Sequence, residues 1–240
     1  MSNNRFYTPT EPFYNRLGRK IIITGHYGSG KTEFVVSLAM LLKKLKNERH
    51  AIIDLDIINP YFRSREQKEM LKSAGIDVYG SVFDTESTAE VPALSAKLRA
   101  PLEDSSCRVI IDTGGNDAGA VVLNQFSKYF TDDETTVLAI VNANRPDTSD
   151  IDTALKHIEA IEYITKLNVS YIVNNTHMLR ETTVADITRG QDLCKRICEK
   201  TDKQFLCSCY PEGIIDPEEL TGINGNLMPL GLYMRPTWLK

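Results

Sequence analysis

Short runs of β-branched and other apolar residues alternate with longer stretches of helical spacing along most of the chain. K-I-I-I-T at 20–24 is continuously apolar over the length of a strand, and glycines follow at once. Residues 33–46 then place Val36, Leu38, Ala39, Leu42 and Leu45 at helix-compatible spacing. The same reading predicts strands at 50–55, 76–79, 107–112, 136–142, 169–174 and 204–207, with helices at 65–74, 93–99, 150–167 and 186–201. Strands that are apolar on both faces and separated by helices belong to a parallel sheet covered on both sides. The fold class expected is therefore α/β, a three-layer, doubly wound, mostly parallel sheet. Residues 19–209 form one domain in this reading. Residues 1–18, with Pro9 and Pro12, read as an irregular lead-in, and residues 210–240, with four prolines, as an irregular tail packed on the same domain.

The junction between the first strand and the first long helix carries the chemistry. Gly25-His26-Tyr27-Gly28-Ser29-Gly30-Lys31-Thr32 fits G-x-x-x-x-G-K-[ST] in full, with a strand delivering it and a helix starting at the lysine. Glycines at 28 and 30 let backbone N–H groups turn inward, and the helix N-terminus adds unsatisfied donors and the positive end of its dipole. Lys31 is placed to reach β- and γ-phosphates, and Thr32 to ligate Mg²⁺. These features predict a P-loop nucleotide-binding domain. Val109-Ile110-Ile111-Asp112 is an apolar strand ending in a carboxylate, which holds the metal through water in such sites. It runs on through Thr113 and Gly114 to Gly115, whose N–H is a candidate sensor of the γ-phosphate, although Asp112 also suits a helix-capping role. Asp54 and Asp56 follow the second strand and open onto the same end of the sheet, as candidates to orient water or to contact the metal shell, with Asp54 a further metal candidate.

Guanine recognition by N-K-x-D needs an Asp that accepts two donors of the base. Neither Asn174-Asn175-Thr176-His177 nor Asn142-Ala143-Asn144-Arg145 supplies that Asp. Asn174 and Asn175 are left as candidate readers of adenine, so ATP is expected rather than GTP. Arg63 and Arg65, just past the Asp54 segment, are candidate arginine fingers, with pairing to Glu66 and Glu69 as the alternative.

Composition narrows the function classes. A net charge of −4 without a basic cluster gives no support for nucleic-acid binding. No apolar run approaches the ~20 residues that cross a bilayer, the N-terminus lacks the apolar core of a secretory signal, and the C-terminal segment forms no basic amphipathic helix. No membrane role and a cytoplasmic location are therefore expected. Five cysteines fit a reducing compartment. Cys194/Cys198 and Cys207/Cys209 read either as a metal or cluster site or, more simply, as small buried hydrophobes.

The order of these motifs resembles the MinD/ParA group of P-loop ATPases within the SIMIBI class, over about residues 19–205. The G-H-Y-G-S-G-K-T loop and D-L-D-I-I-N-P-Y-F-R-S-R-E at 54–66 are similar to a bacterial subgroup of ATP-binding proteins. The resemblance implies ATP and Mg²⁺ as ligands, Lys31 and Thr32 as phosphate and metal residues, Asp56 or Asp54 as the switch I carboxylate, and Asp112 with Gly115 as switch II. It also implies a nucleotide-sandwich homodimer, in which a lysine at the second loop position crosses to the partner's phosphates. That position is His26 here, followed by Tyr27 rather than glycine. The function expected is a slow ATPase acting as a nucleotide switch or loading factor for a partner protein. A P-loop small-molecule kinase, a non-hydrolysing nucleotide-binding module and metal-cluster delivery are the alternatives.

Overall fold

The computed structural model describes residues 11–56, 68–80, 91–115, 117–130 and 133–234, with only the course of the helix at 91–96 and 117–120. Arg63 and Arg65 lie outside the described residues. Eight strands, all parallel, form one sheet. They are β1 (Lys20–Gly25), β2 (Arg49–Asp54), β3 (Ile76–Gly80), β4 (Cys107–Asp112), β5 (Thr135–Val141), β6 (Tyr171–Asn174), β7 (Gln204–Pro211) and β8 (Asn226–Leu230). Their spatial order is β3-β2-β4-β1-β5-β6-β7-β8. The helices are α1 (Glu11–Asn15), α2 (Lys31–Leu45), α3 (Lys68–Ser73), α4 (Val91–Glu103), α5 (Asp117–Asn124), α6 (Ile151–Thr165) and α7 (Val184–Lys200).

Alternation along the strands builds two cores. Ile21, Ile23, Ile52, Ile110 and Leu138 face α1, α2 and α3, where Phe13, Phe34, Leu38 and Leu42 are buried. Ile22, Ile53, Val109, Ile111 and Ala139 face the opposite layer, where Leu98, Leu123, Ala154, Ile158 and Ile197 come from α4 to α7. Both faces of the central strands are thus apolar, which is why their sequence shows no polar alternation. Helix ends follow local rules: Asp150 caps α6 by accepting from the Thr153 amide, and Thr183 with Asp186 forms a capping box at α7.

Strand β8 departs from the expectation of an irregular tail. It pairs in parallel with β7, Cys207 opposite Asn226 through Pro211 opposite Leu230. Pro229 is tolerated because β8 is an edge strand, so the N–H it lacks removes no bond from a further neighbour. The short helix α1 likewise lies within the expected lead-in, with Phe13 and Tyr14 buried. Among the described residues no helix is long and apolar enough to cross a membrane.

Topology places the site. From β1 the chain crosses to β2 on one side, and after β4 it crosses to β5 on the other. The C-terminal ends of β4, β1 and β5 therefore flank the reversal point of a doubly wound sheet, where ligands bind in such folds.

Candidate functional site

The loop from Gly25 to Gly30 leaves β1 and enters α2 at Lys31. Gly28 and Gly30 adopt φ values of 75° and 85°, a left-handed conformation that costs a side-chain-bearing residue more than glycine. The loop is tied inward by the Ser29 amide donating to the His26 carbonyl (3.1 Å) and by the Asn175 side-chain amide donating to the Ser29 carbonyl (2.7 Å). Lys31 is buried and its ammonium donates to the His26 carbonyl at 3.1 Å. Burial pushes its pKa below the ordinary lysine value, while the nearby Asp112 and Asp56 charges pull it back up.

Asp112 ends β4, beside Ile23 of β1 and opposite Asp54 of β2. It is fully buried, and neither carboxylate oxygen accepts a hydrogen bond of normal geometry among the described residues. Burial first, then the Asp54 charge, push its pKa up to about 7, against the opposing pull of Lys31 and the neighbouring Thr32 hydroxyl. A buried carboxylate with no hydrogen bond is costly unless something completes it. Asp54 accepts from the Asp56 amide at 3.0 Å. Strand β2 ends at Asp54, so Asp56 lies in the following loop, where strand alternation no longer fixes its direction. It borders the cavity over the phosphate loop.

The segment after β4 closes on the loop from the other side. The Thr113 hydroxyl and amide both donate to the Ile23 carbonyl, at 2.8 and 3.2 Å. A Cβ at Gly115 would sit 2.7 Å from the Tyr27 amide nitrogen and 2.9 Å from the Lys31 ammonium. Only glycine permits that approach.

A cavity of about 490 Å³ opens beside the loop, bordered by Lys31, Thr32, Asp56 and Arg145, with Pro146, Met178, Leu179 and Met234 as its apolar wall. Met234 comes from the C-terminal segment. Glu33, one residue past Thr32, accepts from the Tyr233 and Met234 amides at 2.6 and 2.9 Å, and the Ser37 hydroxyl accepts from the Gly231 amide at 3.2 Å. That clasp joins the end of the chain to the first turns of α2. Nothing in the local sequence around Glu33 announces it.

Other expected site residues sit elsewhere or do other work. The Asn174 amide nitrogen donates to the Ile187 carbonyl (2.9 Å) and to Ser208 (3.0 Å), and its oxygen accepts from the Thr176 amide (3.1 Å). Asn175 is equally buried, holding Ser29 from below. Neither borders the cavity, because a polar residue at the end of a central strand is buried by the flanking elements; the geometry makes Asn175 a support of the loop and Asn174 a tie between β6, β7 and α7. His26 lies 3.5 Å from Asp147 and meets the His157 ring edge to face, with centroids 5.2 Å apart. Tyr27 is 55% exposed. Cys107, Cys194, Cys207 and Cys209 are free and buried, Cys198 is partly buried, and among the described residues no group of three or more His, Cys, Asp or Glu has metal-binding geometry.

Solved structures share this fold. FtsY from Mycoplasma mycoides superposes with a TM-score of 0.53 at 17% identity, over 82% of this chain and 63% of that one. FtsY from Elizabethkingia anophelis in complex with GDP gives 0.51 at 16% identity, over 78% and 55%. FlhF complexed with GTP/Mg²⁺ gives 0.50 at 14% identity, over 81% and 70%. The α/β fold of P-loop NTPases is thereby shown. The likeness shows the fold alone and is not specific to the MinD/ParA group. The chain spans less than two thirds of the length of both FtsY chains. No protein-family model matches the chain, and no curated protein matches it either.

Proposed function

We propose that the chain binds ATP with Mg²⁺ at the loop of residues 25–32 and hydrolyses it slowly, as a nucleotide switch or loading factor for a partner protein. One observation carries this reading: a buried lysine and a buried carboxylate whose oxygens accept no hydrogen bond of normal geometry flank a strand-to-helix glycine loop, beside a cavity of about 490 Å³. That volume lies within the roughly 300–1,000 Å³ of ordinary ligand sites.

In this reading Lys31 contacts the β- and γ-phosphates, the loop amides of Gly25 to Gly30 cradle them, and the Thr32 hydroxyl and Asp112 hold Mg²⁺, the carboxylate through water, with Asp54 behind it. The unsatisfied oxygens of Asp112 fit such an ion. The bound ion would neutralise charge on the phosphates. Asp56, at the cavity edge, orients the attacking water, and Gly115 reports on the γ-phosphate from its place against Tyr27 and Lys31.

The wall formed by Pro146, Met178, Leu179 and Met234 favours adenine. Guanine asks for a carboxylate at its N1–H and amino group, whereas Glu33 is taken by two backbone amides and Asp147 faces His26. GTP is the second reading, because two solved proteins of this fold carry GDP or GTP. Phosphate release from ATP and from GTP, with Mg²⁺ and no added acceptor, separates these outcomes. The proposal expects slow release from ATP. Faster release from GTP reverses the base assignment, consumption only with a metabolite indicates a kinase, and binding without release indicates a passive module.

A further inference from the structure

Arg145 stands on the turn after β5, four residues past Val141. The turn is rigid. The Arg145 amide donates to the Asn142 carbonyl (3.0 Å), the Arg145 carbonyl accepts from the Thr148 amide (3.0 Å), and the Thr148 hydroxyl donates to the Asn142 carbonyl (2.8 Å). From there the side chain crosses to the phosphate loop, where its Nε donates to the Gly28 carbonyl at 2.8 Å. The guanidinium lies flat enough on the loop that a Cβ at Gly28 would be 3.3 Å from Nε and 3.5 Å from Cζ. One of five N–H donors is thereby used. Among the described residues Arg145 has no ion pair, and the adjacent carboxylate, Asp147, faces His26 instead.

The charge around the cavity gives this placement a meaning. Glu33, Asp56 and Asp147 border it, and the phosphates of a nucleotide would add several negative charges. Lys31 lies at the end of the loop, and the second loop position holds His26, which faces Asp147 at 3.5 Å. Arg145 is held at the front of the loop, against Gly28 and at the cavity border. We infer that Arg145 binds the phosphate chain of the nucleotide in cis through its Nη groups, supplying fixed positive charge at the front of the loop. The inference rests on the proposal that the loop at 25–32 binds a nucleoside triphosphate.

The test is titration of the full chain with Mg²⁺ and ATP, or GTP if that is what the wild type binds, in Arg145→Ala, Arg145→Lys and Arg145→Gln, beside Lys31→Ala. Losing a charge-assisted phosphate contact predicts an affinity about tenfold or more weaker in Arg145→Ala. Lysine keeps the charge, whereas glutamine keeps only a donor for the Gly28 carbonyl, so Arg145→Lys is expected to bind more tightly than Arg145→Gln. A loss below about threefold in Arg145→Ala, or Arg145→Gln binding as well as Arg145→Lys, overturns the inference and leaves Arg145 as a brace of the loop. If Lys31→Ala loses binding while Arg145→Ala does not, this inference alone fails. If Lys31→Ala binds like the wild type, the phosphate-loop reading fails with it.

Discussion

Burial of Asp112 beside Lys31 and Asp54 gives the site its electrical character, and that character is measurable without any ligand. The folded pKa of Asp112, about 7, lies above the unfolded aspartate value of about 3.9. Its protonation therefore favours the folded, ligand-free chain; the contribution is full below about pH 4 and is lost as pH rises through about 7. The melting temperature of the nucleotide-free protein is expected to fall between about pH 4 and pH 7 and to level off above, and Asp112→Asn to flatten that fall. Identical pH profiles for the two proteins would contradict the assignment. Gly115 makes a second prediction at this scale. A methyl group there meets Tyr27 and Lys31 below van der Waals distance, so Gly115→Ala displaces the segment after β4 from the loop. Under the proposal that Gly115 reports on the γ-phosphate, turnover is expected to drop about tenfold or more with a smaller change in nucleotide affinity. Chemistry of this kind is legible in sequence where spacing alone defines it, as from Gly25 to Thr32 and at Asp112. Arg145 and Glu33 were not legible, because each acquires its role from a partner far away in the chain, Gly28 and residues 233–234 respectively.

Elements were read well where the pattern was long or two-sided. The interval 107–112 coincides with β4, and α2 begins at Lys31, where the G-K-[ST] pattern places the start of a helix. Strand β8 was missed since Gly225, Pro229 and Gly231 punctuate it like a loop; its apolar residues become strand-like only once Leu227, Met228 and Leu230 pack in the core. Asn174 shows a related limit: a sequence shows a polar residue at a strand end but not that α7 and β7 enclose it. The C-terminal segment is more than cover, because the Glu33 clasp ties Met234 to the cavity wall. Removing the carboxylate in Glu33→Ala leaves the Tyr233 and Met234 amides without their acceptor, at a cost of about 2–3 kcal/mol in stability. Hydrogen exchange is the direct check, with those two amides expected to lose protection in the variant while β1 keeps its own. Unchanged protection at both would show that the clasp does not hold the segment.

At the scale of the whole molecule, the doubly wound order brings together groups from β1, β2, β4, β5 and the C-terminus at one edge of the sheet. The fold class was legible because alternating strand and helix patterns with two-sided apolar strands admit few other architectures. The resemblance to MinD/ParA proteins implies a sandwich homodimer whose crossing cation completes each site. With Arg145 held in cis on Gly28, a single chain already carries that charge. Turnover per chain is accordingly expected to stay constant as protein concentration is raised, and a rise with concentration would show that a second copy contributes to the site. The claim beneath all of this is that a nucleoside triphosphate seats on the loop between β1 and α2. Calorimetric titration of wild-type protein and Lys31→Ala with Mg²⁺ and ATP tests it most directly: the account predicts saturable one-site binding that is weakened about tenfold or more by the substitution. Equal affinity in the two proteins, or no binding of ATP or GTP by the wild type, would contradict it.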